Sequence, residues 1–170
     1  FVYRDSLYVF GGTDNSSNMN EIVRYDLSTQ NSGEWTTIAK VNEANQRGGV
    51  AFVVEDKVYA GLGEKSNGIR NGFYVSSDSL TKWELIPSIP AQLGVISSGV
   101  YDEQKKSFFM IDNDGKIWEY NLTTEQWTSR SLWIRMKNYH MFMLDGSIYI
   151  LGQDIYQKNK FTVYNPIWDN

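Results

Sequence analysis

The chain has 170 residues, 16 basic against 20 acidic for a net charge of −4, with 15% aromatic residues and no cysteine. That length suits one domain able to bury a core, and the missing cysteines exclude a disulfide framework, a thiolate metal site and a cysteine nucleophile. The acidic balance and scattered basic residues give no electrostatic case for nucleic acid, and no apolar run approaches the roughly 20 residues of a membrane span. In chain order, short β-branched and aromatic runs bounded by Gly, Asn, Asp and Ser predict strands at 7–10, 50–54, 108–111, 117–120, 140–144 and 148–151. No window holds an apolar stripe at helical spacing between caps. The predicted class is all-β.

Repetition carries the most information. A second strand recurs as Tyr8–Gly12, Tyr59–Gly63, Phe109–Asn113 and Tyr149–Gln153 in the forms YVFGG, YAGLG, FMIDN and YILGQ. Third strands follow at Val23-Arg24-Tyr25, Phe73-Tyr74-Val75, Trp118-Glu119-Tyr120 and Thr162-Val163-Tyr164, and a last strand opens at Trp35, Trp83, Trp127 and Trp168. The tryptophans are spaced like single four-stranded units. Such a sheet cannot bury both faces alone, so units must stack, and the repeated Tyr and Trp are expected to pack between them.

These residues resemble the kelch repeat, best in the first unit, LYVFGG…VRYDLSTQ…WTTI. The double glycine is intact only as Gly11-Gly12 and decays to Gly61-Leu62-Gly63, Asp112-Asn113 and Gly152-Gln153. The resemblance implies a β-propeller, here one partial domain over 1–170 with blades at about 1–40, 41–90, 91–131 and 132–170. Kelch-like propellers generally have more than four blades, and the chain opens in mid-strand without methionine. The expectation is therefore the C-terminal part of a larger propeller, partnered by further blades of the same polypeptide or by a second chain.

Alternating strand direction sorts the connections by end. First-to-second turns at 4–6, 55–57, 102–107 and 145–147 are short hairpins, whereas second-to-third loops at 13–21, 64–72 and 154–159 are longer and more varied. Function on repeat scaffolds sits on such variable loops. Aligning Val58-Tyr59 with Ile148-Tyr149 sets Arg47 opposite Lys137 before inner strands, where kelch-like blades often carry a basic residue. Arg47, Lys137, Arg70 and Asn71 form the candidate anion- or sugar-facing set. The alternative role for Arg47 and Lys137 is to tie blades together through backbone hydrogen bonds.

His140 is the only histidine and aligns with Val50 in an inner strand, which makes it a packed or channel-lining residue and the fifth binding candidate. One histidine cannot make a multi-histidine metal site, and without cysteine the chain cannot supply the cross-linked copper centre of galactose oxidase, a kelch-like enzyme. Asp112-Asn113-Asp114-Gly115 has its glycine too early for a calcium loop and suits an Asx-Gly turn. No metal, cofactor or catalytic residue is therefore expected. The reading is a non-catalytic module that holds a protein or glycan on its loop rim, with a sugar-active enzyme of the sialic acid mutarotase type as the alternative. The aromatic-rich repeats with weak double glycines resemble bacterial kelch-like lipoproteins, which implies a periplasmic or cell-surface location.

Overall fold

The computed structural model describes residues 1–27, 33–41, 45–68, 72–77, 79–86, 89–133, 137–154 and 156–165, without the side chains of 77, 97, 131–133 and 137. Among them every regular element is a strand, so no helix long and apolar enough to cross a membrane occurs there. The chain divides into two compact units, Phe1–Pro87 and Ser88–Asn170.

The first unit holds two antiparallel four-stranded sheets. One runs β1 (Val2–Tyr3), β2 (Ser6–Phe10), β3 (Glu21–Asp26), β4 (Thr36–Lys40), and the other β5 (Val50–Val54), β6 (Lys57–Gly61), β7 (Phe73–Ser77), β8 (Glu84–Leu85). The second unit holds the four-stranded sheet β9 (Ile96–Asp102), β10 (Ser107–Asp112), β11 (Lys116–Asn121), β12 (Gln126–Trp133). Its last sheet joins β13 (Lys137–Leu144), β14 (Ser147–Gln153) and β15 (Asn159–Tyr164), and the expected outer strand at Trp168 lies outside the described residues. Each sheet is a simple meander in chain order, as the repeat predicts.

Packing within each unit follows from period-two alternation. In the first sheet Tyr3, Tyr8 and Phe10 share one face with Ile22, and this face packs on Val58 and Tyr74 of the second sheet. In the second unit Val100, Phe109, Ile111 and Ile117 of the third sheet pack on Ile148, Ile150, Tyr164, Met141 and Met143 of the fourth. We call the first kind of face leading, because it meets the following sheet, and the second kind trailing. Both units obey one rule, leading on trailing. Full burial of side chains such as Phe109 and Ile148 contributes roughly 1.5–3 kcal/mol each.

The four first-to-second turns are hairpins as expected. Each carries a non-glycine residue with positive φ: Arg4 (42°), Glu55 (53°), Lys106 (48°) and Asp145 (49°). The Asp112 turn is also as expected. Its carboxylate accepts the Asp114 and Lys116 amides at 3.1 and 2.9 Å, and Gly115 sits at φ 85°. The tryptophans divide. Trp83 stacks across the unit on Phe10 at 5.4 Å and donates its indole N–H to the Leu80 carbonyl at 2.9 Å. Trp35 meets Tyr25 at 5.4 Å on the opposite, trailing face of the first sheet, which no sheet of its unit covers, and is 49% exposed.

Candidate functional site

In the first unit the loop that follows β2, the segment before β5 and the residue after Gly63 meet at one rim. Gly12 N–H donates to the Gln46 carbonyl at 2.7 Å, and Gln46 N–H donates to the Met19 carbonyl at 3.1 Å. Arg47 and Glu64 exchange two backbone hydrogen bonds of 3.0 and 2.9 Å. Side chains lock the same place. Asn18 Nδ2 donates to the Glu64 carbonyl at 2.7 Å, and Gln46 Oε1 accepts the buried Gly63 amide at 3.0 Å. Gln46 is only 2% exposed. A buried polar side chain persists only where its partners are in place, and this one has them.

Close backbone approach explains one glycine here. A Cβ on Gly49 (φ 90°) would stand 2.4 Å from the Gly61 carbonyl oxygen, so the chain passes only without a side chain. The loop after β2 is folded on Asp14, whose carboxylate accepts from the amides of Ser16 and Ser17 and from both hydroxyls. The Ser17 amide bond first, then the Ser16 hydroxyl and amide, hold its pKa down to about 2.

Arg47, a candidate from sequence, stands at this rim. Its Nε donates to Glu64 Oε2 at 3.0 Å, and a second guanidinium nitrogen lies 2.9 Å from the same oxygen. The Arg47 and Glu64 side chains are 58% and 35% exposed, so the rim presents a half-open ion pair rather than a lone cation. Lys137 is placed by backbone pairing with Gln153, with its side chain outside the described residues. Arg70 and Asn71 also lie outside them. His140 pairs with Leu151 in the last sheet and is exposed. Asn18, Gln46 and Glu64 escaped sequence reading. The only signal for them was position, since Gln46 precedes Arg47 and Glu64 follows the decayed glycine motif.

Beside the rim, a cleft of about 220 Å³ opens between β2 and β5, lined by Phe1, Tyr8, Phe10, Gln46, Gly48 and Gly49. It combines aromatic walls, a side-chain amide and glycine backbone. At the hairpin end of the second sheet, Lys57, Ser76, Ser79, Thr81, Lys82 and Glu84 border a polar hollow of about 400 Å³. Among the described residues no three His, Asp or Glu side chains converge as metal ligands.

Comparison with known proteins adds the fold. Residues 2–42 match the family model of the Kelch motif, which covers the unit with the intact double glycine. No curated protein matches the chain. Among solved structures, "Structure of YjhT" superposes with a TM-score of 0.66 at 12% identity, over 97% of this chain and 63% of that one. The chain thus spans less than two thirds of the length of that structure. The fold is that of kelch-type β-propeller blades.

Proposed function

We propose that the chain is a non-catalytic binding segment of a kelch-type propeller, holding a glycan or protein partner on the rim of its second-to-third loops. The observation that carries this reading is the locked rim of the first unit, where Gln46, Asn18 and Glu64 fix two loops beside an aromatic-walled cleft. Fixed loops lose little freedom on binding, which is how preorganisation gains affinity. A pyranose ring suits the cleft. Its apolar face suits the half-buried Phe1 and Phe10 rings, and its hydroxyls suit the open backbone at Gly48 and Gly49. The Arg47–Glu64 pair at the edge supplies both a donor fork and an acceptor. Arg70 and Asn71 of the first unit stay in the proposal as further contacts, and Lys137 and His140 as a candidate set of the second unit by itself.

The second reading, a sugar-active enzyme of the mutarotase type, draws on the same pair. It rests on the Glu64 carboxylate, held 2.9 Å from the Arg47 guanidinium on the rim next to Gln46 and Gly48, which line the cleft.

One set of measurements separates the two. Isothermal titration and amide-shift mapping with a panel of neutral and acidic monosaccharides should locate binding at Gly12, Gln46 and Gly48. Arg47→Ala should weaken binding about tenfold, the worth of one charge-assisted hydrogen bond. Magnetisation exchange between sugar anomers should run at the uncatalysed rate. Acceleration by the protein that Glu64→Gln abolishes would establish the enzyme instead. Shifts confined to other parts of the chain would remove the rim from consideration.

A further inference from the structure

The hairpin end of the second sheet holds a hollow that the proposed rim does not use. Its volume is about 400 Å³, within the range of small-molecule sites, and it lies at the opposite end of β6 from Gly61, which leads into the rim. Two cations, Lys57 and Lys82, and two hydroxyls, those of Ser79 and Thr81, line it together with Val75 and Glu84. Among the described residues, Lys57, Lys82 and Glu84 enter no ion pair, so both charges of the hollow's basic side are free to meet a ligand.

The loop that closes the hollow is fixed from beneath. Leu80 is buried in the cluster with Val58 and Tyr74, Trp83 donates its indole N–H to the Leu80 carbonyl at 2.9 Å, and the buried Ser76 hydroxyl donates to the Lys82 carbonyl. Leu80 holds φ 57°, a conformation that a bulky residue keeps only where its surroundings impose it. With Leu80 drawn inward, its neighbours Ser79 and Thr81 stay exposed, and their hydroxyls meet at 2.7 Å. Two hydroxyls that share one hydrogen bond keep one proton to donate and lone pairs to accept. The polar lining is therefore held in place before any ligand arrives, which lowers the cost of binding.

Register gives the hollow two ends. Lys57 pairs with Ser77, the last residue of β7 before the loop, whereas Glu84 pairs with Val75, two residues or about 7 Å back along the same strand. Cations and hydroxyls gather toward the loop, and an apolar floor with a carboxylate lies further along the strands. We infer that the hollow is a binding site for a phosphomonoester of a small polyol. Two ammonium groups match a phosphate that carries close to two charges at pH 7, and the hydroxyl pair adds a donor. At the other end Val75 meets the carbon skeleton, and Glu84 accepts from the polyol hydroxyls while repelling a second anionic group. The site stands apart from the proposed rim and does not depend on it.

Calorimetric titration with amide-shift mapping tests this, using glucose 6-phosphate, glycerol 3-phosphate, glucose 6-sulfate and inorganic phosphate as probes. Both phosphate esters should saturate one set of shifts at Lys57, Val75, Ser79, Thr81 and Lys82. Lys57 and Lys82 are exposed, so Lys57→Gln and Lys82→Gln leave the fold intact, and each should weaken the esters about tenfold, the worth of one charge-assisted hydrogen bond. Glu84→Ala should weaken the esters several-fold and leave inorganic phosphate no weaker. The sulfate ester, with a single charge, should bind several-fold more weakly than glucose 6-phosphate, and equal affinities would overturn the match of two lysines to a dianion. Inorganic phosphate binding as tightly as the esters, with Glu84→Ala changing neither, would show an anion site only and overturn the polyol end. No shifts from either ester, or shifts that extend to lysines elsewhere such as Lys105 and Lys106, would overturn the site altogether.

Discussion

Replacing Gln46 with leucine tests whether the locked rim is held as described. Leucine is close in volume, so the substitution keeps the space filled and removes the acceptor that Gln46 Oε1 offers to Gly63 N–H at 3.0 Å. Gln46 is 2% exposed, and water does not readily replace the lost partner. An unsatisfied buried amide costs about 1–3 kcal/mol. In a chain of this length each kcal/mol lowers the melting temperature by about 2–4 °C. Thermal unfolding should therefore shift down by several degrees. Amide exchange gives the local readout. The Gly63 amide should exchange much faster in the variant, while the Gly12 amide, held by the Gln46 main-chain carbonyl, should keep its protection. Unchanged Gly63 exchange, with stability within about 0.5 kcal/mol of wild type, would place the site among ordinary surface substitutions and refute the rim as a buried polar lock.

Three further outcomes follow from the same geometry. Gly49→Ala should destabilise by more than about 2 kcal/mol in urea titration, since its Cβ would lie 2.4 Å from the Gly61 carbonyl oxygen, whereas Gly48→Ala, at φ 66° in open space, should cost only about 1 kcal/mol. Glu119 forms a largely buried ion pair with Arg130, the two side chains being 9% and 17% exposed, so Glu119→Leu should cost about 1.5–3 kcal/mol, the worth of a hydrogen bond between charged groups, and denaturant midpoints of the single and double variants check this. Asp14 has its folded pKa depressed from 3.8 to about 2, so its contribution is complete above 3.8 and fades as pH falls through 2; carboxyl and Ser17 amide shifts titrated by NMR should share a midpoint near 2.

The strands were legible because turn residues punctuate them and the repeat fixes their order. Predicted runs at 7–10, 50–54, 108–111 and 148–151 lie within β2, β5, β10 and β14. The leading-on-trailing rule was half legible. Alternation in Tyr8-Val9-Phe10 separates two faces, but both are apolar, and sequence does not say which one meets a neighbour. Tryptophan marks one repeat position but not its surroundings. Trp83 meets Phe10 because the first sheet covers its face, while Trp35, beside Tyr25, lies on a face that no sheet of its unit covers. Most of the candidate site was not legible, because much of its lock is main chain. Gln46 reads as any polar loop residue until its neighbours are in space. Arg47 was found by alignment, but its partner Glu64 becomes visible only when the two backbones pair.

The left-handed residues at the four hairpins have a consequence far from the turns themselves. Arg4, Glu55, Lys106 and Asp145 lie at the surface, yet each helps fix how many residues separate a first strand from its second. Side chains alternate with a period of two, so a slip of one residue would exchange the two faces of a sheet. Phe109 would then take the place of Phe108, and Tyr149 that of Ile148. The information about which surface a blade offers its neighbour is thus written partly in short polar turns. A single inserted residue at Glu55 or Asp145 would act as a polarity reversal of the sheet, with no apolar residue changed.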